Sequence, residues 1–289
     1  FNTTNPYFTE DGVSRTLDVY QRNSKPYTDV NSYAIETTGG SIRFGVPFTD
    51  YDTVFFGIGI DQTTIVPGNY LPVVYQDFAN KFGFTSNAVP LTVGWGRDTR
   101  DSALVPTIGK VIKASGEWSV AGELKYARGT AVYQQFIPVT NKITGALNAE
   151  LSVGSSTGDS TYPIFKNFYS GGLGSVRGFE QGSLTTGTQR SLGLTATGGT
   201  KKINFNAELL SPLPGGGKDR TLRVYTFLDA GGIYGPDEGL QLSDMRSSYG
   251  VGISWISPVG PLRLAFSKPI KQFDGDKIQA LQFQIGSSF

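Results

Sequence analysis

Along much of the chain, hydrophobic side chains recur at every second position. Ile203, Phe205, Ala207 and Leu209 alternate with Asn204, Asn206 and Glu208, and Leu222, Val224, Thr226 and Leu228 alternate with Arg223, Tyr225, Phe227 and Asp229. The same holds for Tyr249, Val251, Ile253 and Trp255 against Gly250, Gly252 and Ser254, and for Leu262, Leu264 and Phe266 against Arg263, Ala265 and Ser267. Leu281, Phe283 and Ile285 alternate with Gln282 and Gln284. Successive side chains of a strand point to opposite faces, so each run reads as a strand with one apolar and one polar face. The pattern predicts thirteen strands, over residues 1–9, 13–23, 32–46, 53–65, 88–97, 108–120, 122–137, 142–154, 201–211, 220–233, 247–258, 261–270 and 277–289.

Turn residues punctuate these runs. Asp11-Gly12, Pro47 to Asp50, Pro138 to Lys142 and Ser257 to Pro261 are tight connections. The intervening ones, residues 23–31, 66–88, 155–200 and 235–246, are longer. Short turns on one side and long loops on the other are the arrangement of outer-membrane barrels, and several strands reach the ~9–11 residues needed to cross a bilayer at a tilt. A soluble β-sandwich or propeller would show turns about every 8–12 residues or a blade-length repeat. The hairpins here are longer and no such repeat is visible. The fold class expected is therefore all-β, a transmembrane antiparallel barrel over residues 1–289. Bacterial single-chain barrels carry even strand numbers. Thirteen is odd, and strands are expected to be missing at the N-terminal end.

Composition sharpens this picture. The chain has 38 Gly, 19 Phe and 14 Tyr with only 17% charged residues, against about 25% in soluble domains. The slightly negative mean hydropathy suits a barrel whose inward residues are polar. There is no Cys and no His, which removes thiolate nucleophiles, disulfides and the commonest general base and metal ligand. A net charge of +1 implies no nucleic-acid partner. Gly215 to Asp219 lacks both the first Gly and the final Ser or Thr of a phosphate loop. No enzyme activity and no cofactor or metal is expected.

Two loops stand out. Val74, Phe78 and Phe82 are at helical spacing and predict a short surface helix over Val73–Phe82, packed on its own loop. Residues 155–200 form the longest loop, and Phe165, Phe168, Tyr169 and Phe179 predict that it folds back rather than staying disordered.

This long loop carries Asn167-Phe168-Tyr169, then Gly171-Gly172, then Val176-Arg177-Gly178-Phe179. It resembles the hallmark loop of the BamA family, the insertases that assemble outer-membrane barrels. Asn5-Pro6-Tyr7-Phe8 with Asp11-Gly12, Leu210-Ser211-Pro212-Leu213-Pro214, Ser257-Pro258 with Gly260-Pro261-Leu262, and Phe283-Gln284-Ile285-Gly286 are also similar to that family. The resemblance implies a sixteen-stranded barrel of which these thirteen segments are the fourth to the sixteenth, with the periplasmic POTRA repeats and the first strands outside the chain. It implies a loop that enters the lumen and a weak seam where the last strand meets the first.

Arg177 offers a planar fork that can hold a carboxylate by two parallel hydrogen bonds. Glu208 and Asp229 lie on the polar faces of neighbouring predicted strands. The family resemblance implies that Arg177 binds them and pins the loop. On the residues alone, solvated lumen charges without a specific partner are the alternative. Gly286 interrupts the alternation of the last strand, as a packing accommodation or as a kink that leaves backbone groups unpaired. Phe289 ends the chain, as an interfacial anchor or as the terminal aromatic that an assembly machine reads. The expected function is folding and insertion of barrel proteins into the Gram-negative outer membrane, at a weak lateral seam with local membrane thinning. The expected partners are unfolded outer-membrane clients, periplasmic chaperones, the lipoproteins of the assembly complex and the lipid bilayer. A two-partner secretion pore of the same superfamily and a passive porin are the alternatives.

Overall fold

The computed structural model describes residues 1–25, 33–69, 71–158, 161–213, 221–258 and 260–286. The strands are β1 (Asn2–Asn5), β2 (Ser14–Ser24), β3 (Tyr33–Pro47), β4 (Asp52–Pro67), β5 (Thr85–Asp98), β6 (Gly109–Gly122), β7 (Tyr126–Pro138) and β8 (Thr144–Ser156). They continue with β9 (Gly178–Phe179), β10 (Lys201–Pro212), β11 (Leu222–Tyr234), β12 (Arg246–Ser257), β13 (Gly260–Lys271), β14 (Ile278–Gln279) and β15 (Leu281–Ile285). Two helices interrupt them, α1 (Val73–Phe82) and α2 (Gly187–Ser191). Thirteen strands form one antiparallel sheet in chain order, and β9 pairs separately with β14.

All thirteen predicted strands are present, with corrections at both ends. The first pairs only over Asn2–Asn5. Pro6 has no N–H to give, and the Tyr7 N–H turns back to Asn5 Oδ1 at 3.1 Å, so the ladder stops. Among the described residues the last strand pairs with β13 over Leu281–Ile285, while Ile278–Gln279 pairs with the long loop instead. Phe289 and Gly215 to Asp219 lie outside the described residues. The regular exchange of short and long connections also breaks once, where residues 99–108 form a long turn and residues 123–125 a short one. Asp101 holds the longer one by accepting hydrogen bonds from the Thr107 N–H at 2.8 Å and hydroxyl at 2.5 Å.

The chain divides into two compact units. In the first, residues 1–97, 113–130 and 153–167, helix α1 occupies the predicted residues but packs on more than its own loop. Its Tyr75 and Phe78 are buried with Tyr33, Ile65, Leu124, Tyr126 and Tyr162, and Phe165 meets Phe78 edge-on with ring centres 5.6 Å apart. In the second, residues 98–112, 131–152 and 168–289, the polar face of the strands is the covered one. Asn204, Arg223, Tyr225, Phe227, Asp229, Ser248, Ala265, Ser267 and Gln282 are buried.

The apolar face is the outward one. Phe205, Leu209, Leu228, Tyr249, Val251, Ile253, Trp255, Phe266, Leu281, Phe283 and Ile285 are all exposed. A contiguous apolar face of this extent is an aggregation hazard in water and the expected lipid contact of a membrane barrel. Among the described residues no helix is long and apolar enough to cross a membrane. Val251, 54% exposed in the middle of β12, tests this orientation. Val251→Arg is expected to destabilise the folded chain in lipid vesicles by about 2–4 kcal/mol if it sits at the midplane. The check is the urea midpoint in vesicles; an unchanged midpoint would contradict a lipid-facing Val251.

Candidate functional site

The long loop reaches the inner face of the second unit through a tight turn. The Gly171 N–H donates to Ser175 Oγ at 2.8 Å, the Gly172 N–H to the Val176 carbonyl at 3.0 Å, and the Ser175 N–H to the Gly172 carbonyl at 3.1 Å. Along this path Gly171, Gly172 and Gly178 adopt positive φ and Gly174 does not. Val176 and Phe179 are fully buried with Phe168, Leu184 and Ile233. These apolar anchors on either side of Arg177 fix where its backbone sits.

Arg177 is 1% exposed and Asp229 0%. The Arg177 Nε and Nη2 donate to Asp229 Oδ2 and Oδ1 at 2.7 and 2.6 Å, a parallel two-bond pair. The Arg177 backbone N–H also donates to Asp229 Oδ2 at 3.0 Å, and Nη1 donates to Glu208 Oε1 at 2.5 Å. The structure thus brings together all three residues singled out for the pin. Burial opposes the guanidinium charge. The hydrogen bonds to Asp229 and the charges of Glu208 and Asp229 outweigh it and hold the Arg177 pKa above its ordinary value.

Several members of this network were not among the sequence candidates. Arg263 donates through Nη2 to both Glu208 oxygens at 3.1 and 3.0 Å, so two guanidinium groups balance two carboxylates. Asn206 Nδ2 donates to Asp229 Oδ1 at 2.8 Å and to the Ser175 carbonyl at 2.6 Å, tying the wall to the turn. The Arg177 guanidinium carbon lies 3.7 Å from the centre of the Phe227 ring, a cation–π stack in a desolvated setting. The space for these rings comes from β12. A Cβ at Gly250 would lie 2.6 Å from Phe227 Cζ, and one at Gly252 2.4 Å from Tyr225 Cζ. Alternation placed each of these residues on the inner face, but nothing local to the sequence gives the registers that bring β10, β12 and β13 to the same point.

Two further fastenings hold the loop. In the second unit Arg246, 1% exposed, donates to Asp276 at 2.8 and 3.1 Å and to the Thr185 carbonyl at 2.9 Å. In the first unit Lys166 Nζ lies 2.8 Å from Glu117 Oε1 and 3.6 Å from Asp61 Oδ2. Those two carboxylates also accept from the Tyr126 and Tyr20 hydroxyls.

Gly286 adopts φ +94°, a left-handed conformation that an L side chain resists, and its N–H donates to the Pro261 carbonyl at 2.8 Å. No atom of the other described residues lies within 4 Å of where a Cβ would stand, so the left-handed backbone is what favours glycine here.

A model described as the Omp85 superfamily domain matches residues 1–289. The outer membrane protein assembly factor BamA of Neisseria meningitidis serogroup B is 36% identical, in an alignment covering 99% of this chain and 41% of that protein. BamA of Nitratidesulfovibrio vulgaris is 24% identical over 99% of this chain and 35% of that protein. The crystal structure of BamA from Haemophilus ducreyi lacking POTRA domains 1–3 superposes with a TM-score of 0.86 at 24% identity, over 98% of this chain and 60% of that one. The chain thus spans less than half the length of those two curated relatives. The superfamily match over every residue accounts for the antiparallel sheet and its inward-folded loop together, and the chain belongs to the Omp85 superfamily.

Proposed function

We propose that this chain is the membrane barrel of a factor that folds and inserts other β-barrel proteins into the bacterial outer membrane, where it is itself an integral protein. The observation that carries the reading is the buried Arg177 fork on Asp229 and Glu208, at the foot of a loop whose next residues pair with the approach to the last strand. The likeness to BamA proteins supports it.

An unpaired N–H or C=O in the bilayer core costs several kcal/mol, so a client strand must find partners as it enters. A strand edge offers such partners. Among the described residues β15 pairs with β13 over Leu281–Ile285, and Gly286 then takes a left-handed φ of +94°. A weakly zipped last strand is an edge that a client strand can pair with, and a thin bilayer beside it lowers the barrier to entry. The pinned loop keeps the barrel wall in order while its edge opens. In this reading no covalent step is catalysed and no nucleotide is needed. The partners are unfolded barrel clients and the other members of an assembly complex, with periplasmic chaperones delivering clients and outer-membrane lipoproteins completing the complex.

A passive porin is disfavoured by a loop that covers the inner face so closely that Asn204, Asp229 and Arg177 are 0–1% exposed. Depleting the protein from cells distinguishes the readings. General loss of barrel proteins from the outer membrane is expected, whereas loss of a single exported client would point to a secretion pore and loss of small-solute uptake alone to a porin. In the same cells Arg177→Lys is expected to restore assembly only weakly. It keeps the charge but not the two-bond geometry, and a charge-assisted hydrogen bond of this kind contributes about 1.5–3 kcal/mol. Full restoration by Arg177→Lys, read as the level of barrel proteins in isolated outer membranes, would contradict a role for the fork.

A further inference from the structure

The residues leading to the end of the chain change partner part-way along. The Lys277 carbonyl accepts from the Glu180 N–H at 2.9 Å, and Ile278 and Gln279 pair with Phe179 and Gly178 of the loop. The Ala280 carbonyl then accepts from the Ser267 N–H at 2.8 Å, and Leu281–Ile285 pairs with β13. One continuous stretch is thus held first by the loop and then by the wall.

Gln282 joins the two. Its backbone lies in the β15 ladder opposite Ala265, and its side chain turns inward and is 4% exposed. Its Oε1 accepts from the Gly178 N–H at 3.2 Å and its Nε2 donates to the Phe179 carbonyl at 2.7 Å. The carboxamide acts as a peptide unit would in a ladder, satisfying one donor and one acceptor of the loop. The peptide next to these, the N–H of Arg177, is held by Asp229. The motif is therefore gripped by β11 on one side and by the last strand on the other. A buried peptide group stripped of its partner is costly, so neither grip is released without consequence for the other.

We propose that Gln282 is a positioning residue that couples the Arg177 loop to the last strand, so that loosening either one loosens both. This deepens the assembly reading above and rests on it for its functional meaning. The coupling itself is a property of the fold. Because coupling between two sites is reciprocal, it must appear from both directions.

The test is amide hydrogen exchange on the full chain in nanodiscs of phosphatidylethanolamine and phosphatidylglycerol, with barrel-client insertion measured in vesicles of the same lipids. Gln282→Met keeps the side-chain length and removes both hydrogen bonds. It is expected to speed exchange about tenfold or more at residues 178–180 as well as 281–285, leaving β3 and β4 unchanged. Gln282→Glu keeps an acceptor for the Gly178 N–H but loses the donor to Phe179, and Gly178 is expected to stay better protected than in Gln282→Met. Arg177→Lys is expected to speed exchange at 281–285 although the hydrogen bonds of Arg177 go to Asp229 and Glu208. The proposal is overturned if Gln282→Met loosens 281–285 alone, or if Arg177→Lys leaves 281–285 at the unaltered rate. Reciprocal loosening with undiminished client insertion would uphold the coupling and count against the assembly reading. Reduced insertion without reciprocal loosening would overturn the coupling and leave that reading standing.

Discussion

A guanidinium group with almost no exposure to water has to be matched by negative charge and by acceptors for its N–H groups, or the fold that buries it does not persist. In this chain that group is Arg177, and much of the second unit's inner face is arranged around it. Asp229 takes two parallel bonds and a backbone N–H, Glu208 takes a third side-chain bond, and Arg263 balances Glu208 from the far side. Phe227 supplies a face on which the guanidinium stacks, and Gly250 leaves room for that ring. Lysine could supply the charge in this place but not the planar fork. The loop is long because it must bring one charged residue to a fixed point on the wall.

Much of the fold was legible because a membrane strand declares its two faces. Val251 and Tyr249 look outward while Gly250 and Ser248 look inward, and the same parity holds through β10, β11, β13 and β15. Parity was enough to number the strands and to place Glu208 and Asp229 on one side. It could not assign β14, because Ile278 and Gln279 continue the pattern of the last strand while pairing with the loop. Nor could it shorten the first strand, where the end depends on the particular turn made by Asn5 and Tyr7. Arg263, Asn206 and Gln282 were visible as inward polar residues, but their partnership with Arg177 and its neighbours depends on registers between strands far apart in sequence. Those registers are set by the fold as a whole.

The loop and the last strand divide two physical tasks. The loop is fastened by the buried ion pairs of Arg177 with Asp229 and Glu208, and by Arg246, itself paired with Asp276, which donates to the Thr185 carbonyl. The last strand has a left-handed residue at Gly286 and an approach shared with the loop. Particular glycines serve this arrangement, Gly250 and Gly252 by leaving room for the Phe227 and Tyr225 rings and Gly286 by its positive φ.

Arg177 and Asp229 bury each other's charge and should behave energetically as one unit. A double-mutant cycle measures this directly, with Arg177→Met, Asp229→Leu and the pair compared by urea unfolding in lipid vesicles. Each single change leaves a buried charge without its main partner and should cost about 3–5 kcal/mol, while the double change should cost far less than the sum. Single effects that add to within about 0.5 kcal/mol would show that the two residues act independently, and would contradict the account.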